Sequence, residues 1–403
     1  MSVLNILEEK LAETKKQGRF REFLNLERGV QDKPWATSHG HHGERRLNVW
    51  CSNDYLAMSH HPKVLLATTD AVNRVGLGTC GARSISGTSV YHSELETLLA
   101  SAYGKESALL FTTGFGANDA TLSTLCDAIP DLIVFSDELN HASMIYGIRY
   151  SKAEKKIFRH NDVAHLAELL QAADPARPKL IAFESLYSMD GDFAPLAQIV
   201  ALAEQYQALT YLDEIHSAGV YGERGLGYAE QLGLLDKITI IQGGFGKSYG
   251  AAGGYIAAPR SVVEAVRSWA PAFVFSTSSP APVVAAALAS FKYNLEHDTQ
   301  RKHLLAIVDH LKTGLRAAGI PLVSADSHIL PLLVGYPHRN KHISKVLLDE
   351  HDIYVQPVNA PTVPAGSERL RVTPTSAHSH ADVETFLAAL GRVWAANDLR
   401  RAG

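Results

Sequence analysis

Four short segments of this chain carry residues whose types and spacing could do chemistry. Lys247 sits in Gln242-Gly243-Gly244-Phe245-Gly246-Lys247-Ser248-Tyr249-Gly250, directly after the apolar run Ile238-Thr239-Ile240-Ile241. An amine with so little side-chain crowding can form a Schiff base with a carbonyl. The glycines superficially resemble a phosphate loop but lack the GxxxxGK[ST] spacing. Asp213 lies in Tyr211-Leu212-Asp213-Glu214-Ile215-His216, at the end of another apolar run. A carboxylate buried there needs a strong partner: either a structural ion pair or a cationic ring nitrogen. Thr112-Thr113-Gly114-Phe115-Gly116-Ala117-Asn118 is a turn that can offer backbone N–H groups to a phosphate. His141, in Asn140-His141-Ala142-Ser143, could stack on a planar ring or simply cap a helix. Each segment alone is weak. Together they suit pyridoxal 5'-phosphate (PLP), which needs a lysine, a carboxylate for its pyridine nitrogen and donors for its phosphate.

The elements that must position these residues are legible in outline. Apolar runs at 108–111, 132–135, 180–183, 209–212 and 238–241 alternate with helical stretches such as 163–172 and 196–207. That alternation predicts an α/β domain with a mainly parallel sheet covered on both faces. After residue 292 the pattern changes. A long helical stretch leads to Ile329-Leu330-Pro331-Leu332-Leu333-Val334, then a helix near 344–351, strands at 353–357 and 369–372, and a last helix after Ser379 with Asp382 as a near capping box. The expected domains are an N-terminal helix and arm (1–48), a large α/β domain (49–292) and a small α+β domain (293–403). An apolar stripe at Leu4, Leu7 and Leu11 marks the first helix, and residues 36–48 read as a polar loop or hairpin.

Composition narrows the class. The chain has 403 residues, 46% apolar and 20% charged, with net charge −4. That is ordinary globular composition, with no basic excess to suggest nucleic acid or an anionic membrane surface. Three scattered cysteines, Cys51, Cys80 and Cys126, form neither a disulfide framework nor a zinc motif. The longest apolar run, 281–288, is too short to span a bilayer. A cytoplasmic protein is expected. The histidines at 39, 41 and 42, and those at 378 and 380, read as solvated loop residues, so no metal site is expected.

Longer phrases resemble the α-oxoamine synthases, PLP enzymes of fold type I, over essentially the whole chain. They include Trp50-Cys51-Ser52-Asn53-Asp54-Tyr55-Leu56, Phe135-Ser136-Asp137-Glu138-Leu139-Asn140-His141, Ala182-Phe183-Glu184-Ser185-Leu186-Tyr187-Ser188-Met189-Asp190-Gly191-Asp192 and Tyr354-Val355-Gln356-Pro357-Val358-Asn359-Ala360-Pro361-Thr362-Val363-Pro364. The last phrase is closest to the branch that makes 5-aminolevulinate. The resemblance implies a large domain with a mainly parallel seven-stranded-type sheet, a smaller C-terminal α+β domain and an N-terminal arm. It also implies roles. Lys247 holds PLP and then moves protons, Asp213 pairs with the ring nitrogen, His216 bonds the ring hydroxyl and His141 stacks on the ring. Gly114 and Phe115 hold the phosphate, helped by Ser276 or Thr277 from a second subunit of a homodimer. Arg371 binds the amino-acid carboxylate, with Asn53 and Ser188 nearby. Arg21, Ser136 and Thr362 hold the distal carboxylate of a succinyl group. The implied reaction joins glycine to succinyl-CoA with loss of CoA and CO2.

Three departures qualify that picture. Gly81-Ala82-Arg83-Ser84-Ile85-Ser86-Gly87 stands where the branch usually reads G-T-R-N-I-S-G. Ala82 leaves space beside the amino acid's Cα, so glycine selectivity is expected to relax towards alanine or serine. Ser84 replaces an asparagine near the acyl group. Gly244 replaces a threonine three residues before the lysine, and weaker PLP retention is expected. These changes also fit a specialised paralogue of a secondary-metabolite pathway. A non-catalytic partner subunit is disfavoured because Lys247, Asp213, His216 and His141 are all present. An ordinary aminotransferase is disfavoured by the context of Arg371.

Overall fold

The computed structural model describes residues 2–20, 22–40, 43–397 and 399. Backbone contacts divide the chain into two compact units. One comprises residues 54–187 and 193–301, the other residues 1–53, 188–192 and 302–403. This partition departs from the sequence expectation at both ends. The N-terminal segment belongs with the C-terminal residues, because a strand ending at Val49 pairs with one at 353–354. Residues 293–301 stay with the larger unit, where Arg301 donates to the carbonyls of Asn294, His297 and Glu223.

The chain opens with a helix, Val3–Lys16, then β1 (Leu26–Glu27), β2 (Trp35–Gly40) and β3 (Gly43–Val49). The helix carries the expected stripe but ends at Lys16, and none of its residues is buried. β2 and β3 make the hairpin expected at 36–48.

The larger unit holds β4 (Ser107–Phe111), β5 (Ile133–Asp137), β6 (Glu154–Phe158), β7 (Lys179–Glu184), β8 (Leu209–Asp213), β9 (Ile240–Gly244) and β10 (Gly254–Ala258). They form one seven-stranded sheet in the order β4-β10-β9-β8-β7-β5-β6. All neighbours run parallel except β10, which is antiparallel to both β4 and β9. Near-continuous apolar strands fit a sheet buried on both faces, and an apolar cluster lies on each. One includes Phe135, Phe183, Tyr255 and Phe291; the other includes Val134, Ala182, Tyr211 and Ile256. The parallel strands all point their carboxyl ends the same way, where ligand-binding turns of open α/β sheets gather.

The other unit completes its sheets from the C-terminal part: β11 (Leu330–Leu333), β12 (Ile353–Tyr354), β13 (Gln356–Val358) and β14 (Arg369–Val372). β12 adds in parallel to β3, giving the order β1-β2-β3-β12, and β11-β14-β13 form a second, antiparallel sheet. The expected strand at 353–357 is therefore two short strands in different sheets. The last helix, His380–Ala396, has the capping box that Ser379 and Asp382 suggested. Its buried face meets Trp50, Ile307, Leu347 and Leu370 in one core. His378, expected to be solvated, is instead fully buried. Its ring lies 4.1 Å from that of Trp50, and Nδ1 accepts from the Thr375 amide at 3.0 Å. Among the described residues no helix is long and apolar enough to cross a membrane.

Candidate active site

In the larger unit, the turns that follow β4, β5, β8 and β9 bring most of the candidate cofactor residues together. Asp213 ends β8 and is buried. Its Oδ2 accepts from Asn118 Nδ2 at 2.7 Å and its Oδ1 from the Ile215 amide at 2.8 Å. Asn118 is held in turn, because Tyr211 Oη donates to its Oδ1 at 2.7 Å. Asn118 Nδ2 also lies 3.0 Å from Ser143 Oγ, which contacts His141 Nδ1 at 2.7 Å. One chain of polar contacts thus runs from the carboxylate to His141. Such hydrogen bonds allow a buried carboxylate to keep its charge and fix where its lone pairs point.

His141 does what the plainer reading of its motif proposed: it caps the helix Ala142–Arg149, its Nδ1 accepting from the Ser143 amide. Its own amide donates to Glu184 Oε1 at 2.6 Å. Partial burial lowers the His141 pKa below the ordinary imidazole value; Asp213 opposes the shift and Lys247 reinforces it. The ring is therefore neutral at physiological pH and suited to face a planar ligand without adding charge. Glu184 is buried beside this turn, and burial together with Asp213 pushes its pKa well up, which favours its neutral form.

Lys247 follows β9, half-buried, with Nζ hydrogen-bonded to His216 Nε2. An ammonium has donors only, so Nε2 accepts and the imidazole proton sits on Nδ1. That N–H donates to Tyr55 Oη at 2.8 Å. A buried relay, Tyr55–His216–Lys247, thereby aims the amine.

Gly114 and Phe115 open the helix Gly114–Ala128. Thr113 caps it by accepting from the Gly116 amide at 2.9 Å. The amides of Gly114 and Phe115 have no intrahelical acceptor, and they lie at the positive end of a 15-residue helix. Gly254 of β10 packs against this turn so closely that a Cβ there would lie 2.6 Å from Gly114 Cα. Thr277 and Ala82 are brought together by an antiparallel bridge. Ser278 locks the same segment, its amide donating to the Gly81 carbonyl at 3.0 Å. Ala82 is half-buried, whereas Ser84 and Thr277 are exposed. The Ser276 hydroxyl donates to the Ala272 carbonyl. Ser136 is buried, its Oγ accepting from Asn140 Nδ2 at 2.8 Å.

In the other unit, β14 carries Arg371. Its Nε donates to the Ser188 carbonyl at 2.7 Å and its Nη1 to Asn53 Oδ1 at 2.9 Å. The three residues named for the amino-acid carboxylate therefore meet. Arg369, two residues earlier, fixes the adjoining turn by donating to Asp190 Oδ1 at 2.8 Å. Arg21 lies outside the described residues. Just before it, the Gly18 carbonyl accepts from Asn359 Nδ2, and Arg19 Nε donates to the Ala360 carbonyl. Those partners adjoin Thr362, which is exposed.

The donor set fits PLP. A lysine, a hydrogen-bonded carboxylate, a neutral imidazole and a glycine-opened helix end converge, while Glu184 Oε2 and Gln242 Oε1 are buried without a hydrogen-bond partner among the described residues. Sequence reasoning missed Asn118, Ser143, Tyr211 and Glu184. Asn118 stands one helical turn after Gly114, a spacing that could have flagged it. Among the described residues no group of three or more His, Cys, Asp and Glu could hold a metal ion. His39 instead sits 3.0 Å from Glu27 and 3.3 Å from Glu44.

Comparison with known proteins agrees with this geometry. The chain is 48% identical over 395 residues to a 5-aminolevulinate synthase of Rhodobacter capsulatus, covering 96% of this chain and 95% of that one. It is 49% identical over 386 residues to a 5-aminolevulinate synthase of Rhizobium meliloti, covering 96% of each. Among solved structures, an SPT with PLP internal aldimine matches with a TM-score of 0.92 at 30% identity, over 99% of this chain and 100% of that one. The serine palmitoyltransferase of Sphingomonas wittichii matches with a TM-score of 0.91 at 30% identity, over 99% of each. The profile of the aminotransferase class I and II family matches residues 46–390, so this chain is a member of that family, with its PLP-dependent fold type I architecture.

Proposed function

We propose that this chain is a PLP-dependent 5-aminolevulinate synthase, which joins glycine to succinyl-CoA and releases 5-aminolevulinate, CoA and CO2. The observation that carries the reading is the convergence of Lys247 and its His216–Tyr55 relay with Asp213 and its Asn118 anchor. Near 48% identity to synthases of that name over almost the full chain supports the choice of substrates.

PLP, when bound, supplies an electron sink for the carbon that loses a proton. The protein supplies the rest. Lys247 Nζ is the amine that holds the cofactor and afterwards takes the proton from glycine Cα, with His216 fixing its direction. Asp213 keeps a ring nitrogen protonated. Gly114 and Phe115 offer two backbone donors to a phosphate. Arg371 takes the amino-acid carboxylate as a planar fork already held by Ser188 and Asn53. Arg21, Ser136 and Thr362 are assigned to the succinyl carboxylate.

Ala82 favours a second reading of substrate choice. Its side chain is a single methyl beside the bridge to Thr277, and the resemblance to 5-aminolevulinate synthases assigns this position to the amino-acid side of the site, where the usual threonine is larger. One methylene changes discrimination by only about 1–3 kcal/mol, so alanine and serine are proposed as slower substrates. We further propose a homodimer with shared sites. Large apolar side chains at Leu77, Ile85, Trp269 and Phe275 are each more than 60% exposed in the single chain, a surface that a second copy would cover. A reducing, cytoplasmic setting accords with three free cysteines.

The test is CoA release by the PLP-loaded protein, with glycine, alanine and serine each crossed against succinyl-, acetyl- and octanoyl-CoA. Fastest release with glycine and succinyl-CoA is expected. A preference for another pair overturns the substrate assignment, and no release with any pair overturns the enzyme.

A further inference from the structure

Ile215 occupies an unusual place in the cofactor site. It follows the carboxylate strand, yet its side chain reaches two glycines on other elements. A Cβ on Gly244, the last residue of β9, would lie 2.6 Å from Ile215 Cδ1 and 2.9 Å from its Cγ1. A Cβ on Gly114, the first residue of the helix that the phosphate-type turn opens, would lie 2.6 Å from the same Cδ1. Non-bonded carbons settle at about 3.5–4.0 Å, so neither position accepts a side chain while Ile215 stays where it is. The Ile215 backbone is anchored, its amide donating to Asp213 Oδ1 at 2.8 Å. Relief at either glycine therefore has to come from rotation of the Ile215 side chain out of its place, or from movement of the glycine segments themselves.

We propose that Ile215 is a positioning residue for cofactor retention: its side chain, wedged between Gly114 and Gly244, sets the spacing between the phosphate-type turn and the lysine strand. The absence of a side chain at 244 then does not leave a gap in this chain, since Ile215 fills it. The inference builds on the reading of PLP as cofactor, and it makes positions 215 and 244 a coupled pair. Gly244→Ala alone over-packs the wedge. Ile215→Val with Gly244→Ala moves one methylene from one side of the contact to the other and conserves volume, the kind of exchange cores tolerate best.

The experiment compares wild type, I215V, G244A and I215V/G244A as PLP-loaded proteins. Loss of PLP on dialysis is followed through the absorbance of the bound cofactor, and melting of the cofactor-free proteins is recorded alongside. G244A is expected to lose PLP roughly tenfold faster than wild type or more, the factor that an over-packing cost of this kind implies. The double variant should hold PLP better than G244A but less well than wild type, because it removes the 2.6 Å contact with Cδ1 and leaves the 2.9 Å contact with Cγ1. If G244A does not hold its fold, recovery of the melting transition in I215V/G244A reports the same coupling. Retention by G244A equal to wild type, or a double variant no better than G244A, overturns the inference alone. A wild type that takes up no PLP overturns the functional reading and this inference with it.

Discussion

Asn118→Ala tests the architecture around Asp213 most directly. The carboxylate has two described donors, Asn118 Nδ2 at 2.7 Å and the Ile215 amide at 2.8 Å, and the substitution removes the first. A hydrogen bond to a charged group contributes about 1.5–3 kcal/mol. Both Asn118 and Asp213 are buried, so water does not readily replace the lost donor. Tyr211 Oη also loses its acceptor, and Ser143 Oγ loses the contact that leads to His141. If that energy is realised where charge develops, kcat/KM for glycine should fall between roughly tenfold and 150-fold. The companion readout is the absorbance of the bound cofactor across pH. An Asp213 that is less well held stabilises the protonated ring nitrogen less, so the spectral transition should move to lower pH. Tyr211→Phe should show a smaller change in the same direction, and adding it to Asn118→Ala should cost little more, since both act through one amide. Asn118→Ala within twofold of wild type in both kcat/KM and spectrum would refute the argument that Asn118 anchors the carboxylate.

Three further outcomes follow from single residues. Arg371→Lys replaces a fork that already makes two bonds by a point charge, so KM for glycine should rise about tenfold while cofactor absorbance stays unchanged. Glu184 has a folded-state pKa raised by burial and by Asp213; the stability it contributes is present below its unfolded pKa of about 4.5 and lost as pH rises towards the folded value. Glu184→Gln keeps the acceptor for the His141 amide, so its melting temperature should gain on wild type between pH 5 and pH 9, and a relative loss over that range would contradict the upward shift at Glu184. His378 shows the opposite sign. Burial pushes its pKa down to about 4, so its contribution is present above pH 6.5 and lost as pH falls through that value. His378→Phe should therefore be less stable than wild type at pH 7.5, with the gap narrowing by pH 5.

Lys247 and Asp213 were legible as candidates through their neighbours. An apolar run ending in glycines, or in an acid, invites a functional reading beside the structural one, and only the combination of such segments pointed to a cofactor. β6 and β10 did not. The residues of β6, Glu154-Lys155-Lys156-Ile157-Phe158, are polar because it is an edge strand, and β10 begins in a glycine-rich stretch that reads as a turn. Asn118 and Glu184 act only through partners distant in sequence, which no local pattern encodes. His378 failed for a related reason. Its neighbours are small and polar, and nothing beside it in sequence announces Trp50 more than three hundred positions away. The apolar stripe at Leu4, Leu7 and Leu11 has the right period for a buried helix, yet a period cannot say what buries it, and the single chain leaves those residues exposed.

The pairing of Asn48 with Ile353 fixes an order of events during synthesis. β3 leaves the ribosome about 300 residues before β12, a wait of roughly 15–60 s at ordinary elongation rates. Residues 54–187 and 193–301 can meanwhile close their seven-stranded sheet. The first 53 residues have to remain outside that structure as a nascent tail until their partners arrive. Part of that tail is self-contained, because β2 and β3 pair with each other from Trp35 opposite Asn48 to Gly40 opposite Gly43, while the leading helix keeps Leu4, Leu7 and Leu11 exposed. The carboxylate fork is then assembled last, since Asn53, Ser188 and Arg371 come from three separate stretches of the chain and the final one is the last to be made. A chain truncated before residue 371 would lack the fork proposed for the amino-acid carboxylate while keeping Lys247, Asp213, His216 and His141.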